Sequence, residues 1–149
     1  MKALFKSLCD RYKLDDVATS GPASTLRIAL GNTSTSPITT KKFFSYKAPQ
    51  GSVLPYVCYS MPSDGPLLYT MGLTEINTAR IQFSIWSAKS QSLEQVTTLA
   101  GYVKTLFDFC CLTITGRTHK VCKRVYETLL DDPDFGWQYV IQYEVITQV

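Results

Sequence analysis

Histidine occurs once, as His119, and charged side chains make up only 18% of the 149 residues. One imidazole excludes any metal site built on several histidines, and it leaves a single ring for any Cys/His or carboxylate/His catalytic pair. The chain also lacks Gly-x-Ser-x-Gly, Gly-x-x-x-x-Gly-Lys-Ser/Thr, Gly-x-Gly-x-x-Gly and His-Glu-x-x-His. With them go the sequence signals of a nucleophile elbow, a phosphate loop, a dinucleotide fingerprint and a zinc protease. The five cysteines, Cys9, Cys58, Cys110, Cys111 and Cys122, are odd in number and none has Cys-x-x-Cys spacing. They read as reduced structural thiols made in a cytosol, not as a zinc site or a disulfide framework. Long hydrophobic runs are missing too: Met1 to Leu8 has no signal-peptide core, and no later segment approaches membrane-spanning length. The expectation is a soluble chain, assembled in a cytoplasm, with no membrane partner, metal or cofactor.

What is present is apolar material, 45% of the residues, enough for one core and one domain over 1–149. Fifteen Lys and Arg against twelve Asp and Glu leave a net charge of +3, too small and too dispersed to signal nucleic-acid binding. Much of the polar surface must therefore be Ser, Thr and Gln.

Leu4, Phe5, Leu8 and Tyr12 recur at helical spacing, which predicts a short amphipathic helix ending before Gly21-Pro22. Leu26 to Leu30 alternates as a strand would. The nearly all-Ser/Thr stretch at 32–41 is too polar to bury and predicts a mobile loop. Pro49 and Gly51 mark a turn, and Pro55 confines the strand expected over Leu54 to Tyr59 to a sheet edge or a strand start. Another turn is expected from Pro62 to Gly65. Leu67, Leu68, Tyr69 and Met71 come next, as core or as an exposed apolar loop. The alternation of Ile81, Phe83 and Ile85 gives the clearest strand, and Leu93 to Phe107 keeps helical spacing throughout, with Ser92 and Gln95 at capping-box positions. Strands are expected at Cys111–Thr115 and His119–Leu129. A last strand has Trp137, Tyr139, Ile141, Tyr143 and Val145 on one face. This order predicts an α+β domain, a single antiparallel sheet with two helices packed on one face.

Few residues offer chemistry. His119 reads as a solvated strand-edge residue, and an enzyme would have only His119 and one carboxylate as an acid–base pair. Asp131, Asp132 and Asp134 lack the spacing of a calcium loop and read as turn residues. On a strand Lys120 and Arg124 point one way and Lys123 the other, so no continuous basic face follows. A nucleic-acid-binding domain using Arg80, Lys120, Lys123 and Arg124 is the alternative of another class.

The stretch Ala48-Pro49-Gln50-Gly51-Ser52-Val53-Leu54-Pro55-Tyr56-Val57 resembles the Ala-Pro-x-Gly-x-x-x-Pro-Tyr-Val signature of the tail completion and tail terminator proteins of long-tailed bacteriophages. Ala79 to Trp86, the helix Ser92 to Phe107, Asp132 to Trp137 and Tyr143-Glu144-Val145 follow in that family's order. The segment Gly21 to Lys41 is longer than in that family. The resemblance implies a structural virion protein, not an enzyme, in a ring, commonly six-fold, at the head-proximal end of the tail tube. Its implied partners are further copies of itself, the tail tube protein, a head connector or stopper protein, and DNA only as the passing genome. A head-side connector or stopper subunit is the alternative within structural proteins. Candidate contacts to a subunit or the tube are Leu67, Leu68, Tyr69 and Met71, which equally suit a core. Candidate lumen-facing residues are Lys120, Lys123 and Arg124.

Overall fold

The computed structural model describes residues 2–13, 21–31, 42–69 and 75–148, with 66–69 described in backbone alone. The 32–41 segment and Met71 lie outside the described residues. Helix α1 spans Lys2–Tyr12 and buries Leu4, Leu8 and Tyr12, one stripe at i, i+4 and i+8. Helix α2 spans Pro22–Ala29, where a strand is expected from Leu26 to Leu30. Alternation misleads there because Ile28 is 60% exposed. The buried set is Ala23, Leu26 and Leu30, which is helical spacing, and Pro22 stands in the first turn, where its missing N–H costs nothing. Arg27, buried, donates to the Tyr12 carbonyl at 2.5 Å and so meets the negative end of α1 with a cation.

Strand β1 is Phe43–Ser45, β2 Tyr56–Tyr69, β3 Glu75–Ser87, β4 Thr118–Asp132 and β5 Gly136–Gln148, with helix α3, Leu93–Phe107, between β3 and β4. The sheet order is β1-β2-β3-β5-β4. All pairings are antiparallel except the short β1, which runs parallel to β2. The α+β architecture is the expected one, with a third helix and one parallel edge strand added. Pro55 directly precedes β2, as its missing donor requires. Pro62 to Gly65 is not a turn: the segment continues β2, with a register shift between Ser60 and Ser63 absorbing the irregularity. Cys111–Thr115 is not a strand either. Only an isolated bridge joins Ile114 to Arg117.

Most of the described buried apolar residues form one hydrophobic cluster between the helices and the inner sheet face. Ile81, Phe83 and Ile85 of β3 and Ile141, Tyr143 and Val145 of β5 point into it. Phe43 stacks on Tyr12 at 4.3 Å, and Phe83 on Phe107 at 4.6 Å, so aromatic contacts tie β1 to α1 and β3 to α3. Each such ring, buried, contributes roughly 1.5–3 kcal/mol. Ser92 occupies the N-cap of α3 but makes no side-chain cap bond. Gln95 instead accepts a short hydrogen bond from the Ser87 hydroxyl.

Candidate functional site

Because α1, α2 and α3 pack on one face of the sheet, the opposite face and the sheet edges are the surfaces open to partners. On the open face the side chains of β3 and β5 are mostly polar: Gln142 donates to Gln82 directly across the pairing at 3.0 Å. Toward one end a groove of about 330 Å³ is lined by Tyr46, Lys47, Tyr56, Cys58, Trp86 and Phe135, among others. Trp86 and Phe135 meet edge to face at 6.1 Å. Burial pushes the Cys58 thiol above its ordinary range, so it acts as a small apolar wall and not as a thiolate.

The β4 edge carries the three basic candidates. Register shifts fall at Lys120, between His119 and Val121, and at Val125, between Arg124 and Tyr126. Lys123 lies opposite Glu144 and pairs with it at 3.0 Å on the open face. Arg124, opposite Tyr143, points to the helix side, where it meets Asp108 at 3.4 Å and Glu127 at 2.9 Å. Glu127 also binds Lys104 of α3 at 2.9 Å. The hydrogen bond from Lys104 is the main reason the Glu127 carboxyl lies below its ordinary range, with burial opposing and the Lys104 and Arg124 charges assisting. Two of the three candidate cations are thus matched within the chain. Lys120 is exposed and in no ion pair among the described residues.

Leu67, Leu68 and Tyr69 fall at the end of β2, within a strand and not in a loop. Asp132 accepts from the N–H groups of Asp134 and Phe135 at 2.9 and 3.0 Å, which makes the acidic cluster a hairpin turn. His119 is half-buried, and burial lowers its imidazole pKa. No carboxylate pairs with it among the described residues. Among those residues, too, no group of three or more His, Cys, Asp or Glu is placed to hold a metal ion, and no helix is long and apolar enough to cross a membrane.

One exposed residue escapes a reading by pattern. Phe109, just past α3, is 83% exposed and sits at φ 52°. A bulky side chain rarely adopts that left-handed backbone. The only signal in the sequence is an aromatic beyond the last residue of the helical stripe.

No protein-family model matches this sequence, nor does any curated protein. The fold is similar to that of a chain in a solved structure described as "Virion of native gene transfer agent (GTA) particle". The TM-score is 0.68 at 9% identity, over 99% of this chain and 93% of that one. At that identity the likeness is one of fold.

Proposed function

We propose that this chain is a structural virion protein without catalytic chemistry, a tail terminator or tail completion subunit that forms a ring at the head-proximal end of a phage tail tube. The observation that carries this reading is the fold likeness to a chain of a gene transfer agent virion, which spans nearly the full length of both chains. The ordered patches from Ala48 to Val57, Ala79 to Trp86 and Trp137 to Val145 supply the finer assignment. A closed ring needs two different, complementary patches per subunit. The aromatic groove around Trp86 and the projecting Phe109 supply two distinct apolar surfaces. Leu67, Leu68 and Tyr69 at the end of β2, together with Met71 further along the sequence, are taken as a third contact toward a subunit or the tube. Tail tube protein and a head connector or stopper are the partners of such a ring, and DNA crosses its lumen without being gripped. The internal pairing of Lys123 and Arg124 suits that passive role better than a nucleic-acid-binding one.

Electron microscopy of the purified chain mixed with tail tubes tests the reading. Rings or caps at one tube end are expected. A chain that never associates with tubes, or that instead binds DNA with a steep salt dependence, overturns it.

A further inference from the structure

The two edges of the sheet differ in how they are finished. Beyond its contact with β1, strand β2 carries Pro62 and Pro66, which interrupt the row of N–H donors that another strand would need, and Gly65 between them, whereas both edge strands carry two register shifts. Strand β4 is the other edge. It runs for 15 residues with neither proline nor glycine, pairs only with β5, and is exposed along most of its length.

The side chains of β4 are distributed with opposite character in its two halves. His119, Lys120, Lys123 and Arg124 precede Tyr126, and Glu127, Asp131 and Asp132 follow it. The bulge at Val125 makes Arg124 and Tyr126 successive positions of the pleat, Arg124 toward the helices and Tyr126 toward the open face. Laid antiparallel against itself with Tyr126 at the centre, β4 therefore keeps matching faces in both halves. Arg124 comes opposite Glu127, Val121 opposite Leu130, Lys123 opposite Thr128, and His119 opposite Asp131 with Lys120 beside it. Val121 meets Leu130 and Arg124 meets Glu127, while Lys123, matched by Glu144 in its own chain, meets the uncharged Thr128, and Asp131 is shared with Lys89 of its own chain. Val121, Val125, Tyr126 and Leu130, the large apolar side chains exposed on this strand, all fall within that seam.

We propose that β4 pairs edge to edge, antiparallel, with β4 of a second copy of this chain, about a two-fold axis through Tyr126. The contact joins two five-stranded sheets into one with all helices on the same side. Opposite charges directly across an antiparallel pair are favourable and like charges are not, so parallel pairing, which sets the basic halves against each other, is disfavoured. An isologous contact closes at two copies. It is therefore not the head-to-tail contact of a ring, and it goes beyond the ring reading: it covers the β4 edge in the free chain.

Edge-to-edge contacts are small, so the dimer forms at about 10–100 µM. Sedimentation of the purified full chain over that range measures it, and cysteine cross-linking reads the register. Cys111, the exposed thiol, is first replaced by Ser in every variant. Tyr126→Cys, on the axis, is expected to give a covalent dimer on oxidation. Val121→Cys alone gives none, because its two copies lie roughly 25 Å apart along the paired strands. Mixed with Leu130→Cys, it gives heterodimers. Lys120→Glu sets a carboxylate beside Asp131 and weakens the dimer about tenfold, and adding Asp131→Lys restores it. A chain that stays monomeric throughout, or a dimer that fails to cross-link at 126, or one that cross-links through 121 alone, overturns the proposal. Rings on tube ends are scored separately, so either reading can fail without the other.

Discussion

The buried hydroxyl of Tyr143 donates to the Asp108 carboxylate at 2.6 Å, tying the middle of β5 to the residue that ends α3. Asp108 in turn meets Arg124 of β4, so one hydrogen bond and one ion pair join helix, central strand and edge strand. Burial, reinforced by Asp108, pushes the Tyr143 hydroxyl well above its ordinary range, and burial does the same at Tyr59. A phenol whose pKa is raised by folding stabilises the protein fully below the unfolded value of about 10, and that contribution is lost as pH rises beyond it. Unfolding free energy is expected to fall above about pH 10 in urea titrations. Tyr143→Phe lessens that fall and costs about 1–2 kcal/mol at pH 7.

At the other end of the pH scale Glu127 is the sensitive group, its carboxyl lowered chiefly by the hydrogen bond from Lys104. A depressed carboxylate stabilises the fold above its unfolded pKa of about 4.3, and the contribution disappears as pH falls through the folded value. Both side chains are partly solvent-exposed, so screening limits the effect of Glu127→Gln to less than about 1 kcal/mol. Denaturant midpoints of the variant and the parent should differ at pH 7 and converge as the pH falls below the ordinary carboxylate range.

Leu26 and Ile28 distinguish the helix from a strand by mutation. In α2, Leu26 is fully buried and Ile28 faces solvent. Leu26→Ala is expected to cost about 2–5 kcal/mol and Ile28→Ser less than about 1. Equal losses in thermal denaturation contradict the helix, since a strand would bury both.

Gly136 opens β5 at φ 110°, and a Cβ there would lie 2.5 Å from the Ser87 carbonyl oxygen. Space and backbone conformation both demand glycine, and the obstruction is backbone, which cannot swing away. Gly136→Ala is expected to destabilise by about 2 kcal/mol or more, seen as a lower melting temperature, whereas Gly51→Ala, with open space around it, loses less.

Much of the sheet was legible in single residues. Ile81, Phe83 and Ile85, and Trp137 through Val145, alternate because one side of each strand meets the helices, and that pattern is written in consecutive positions. The stripe of α3 was equally plain. The Leu26 segment was not, because Leu, Ile and Leu two apart satisfy a strand while Ala23 and Leu30 complete a helix, and only the packing against α3 and the sheet selects between them. Pro62 and Gly65 carry turn chemistry that β2 absorbs as a bulge. Of the basic candidates, Lys123 and Arg124 alternate along the strand and so point opposite ways, but Asp108, which meets Arg124, and Lys104, which meets Glu127, are distant in sequence and carry no pattern of their own.

The sequence by itself determined that apolar residues at periods near 2 and near 3.6 build an α+β fold, and it determined the Asp132 turn, because these depend on neighbours along the chain. Only the tertiary structure decided the strand order, the two bulges of β4 and the partners of its charges. Those depend on which distant strands and helices meet. A bulge resets which face every later side chain of a strand takes, and no local periodicity records where it falls.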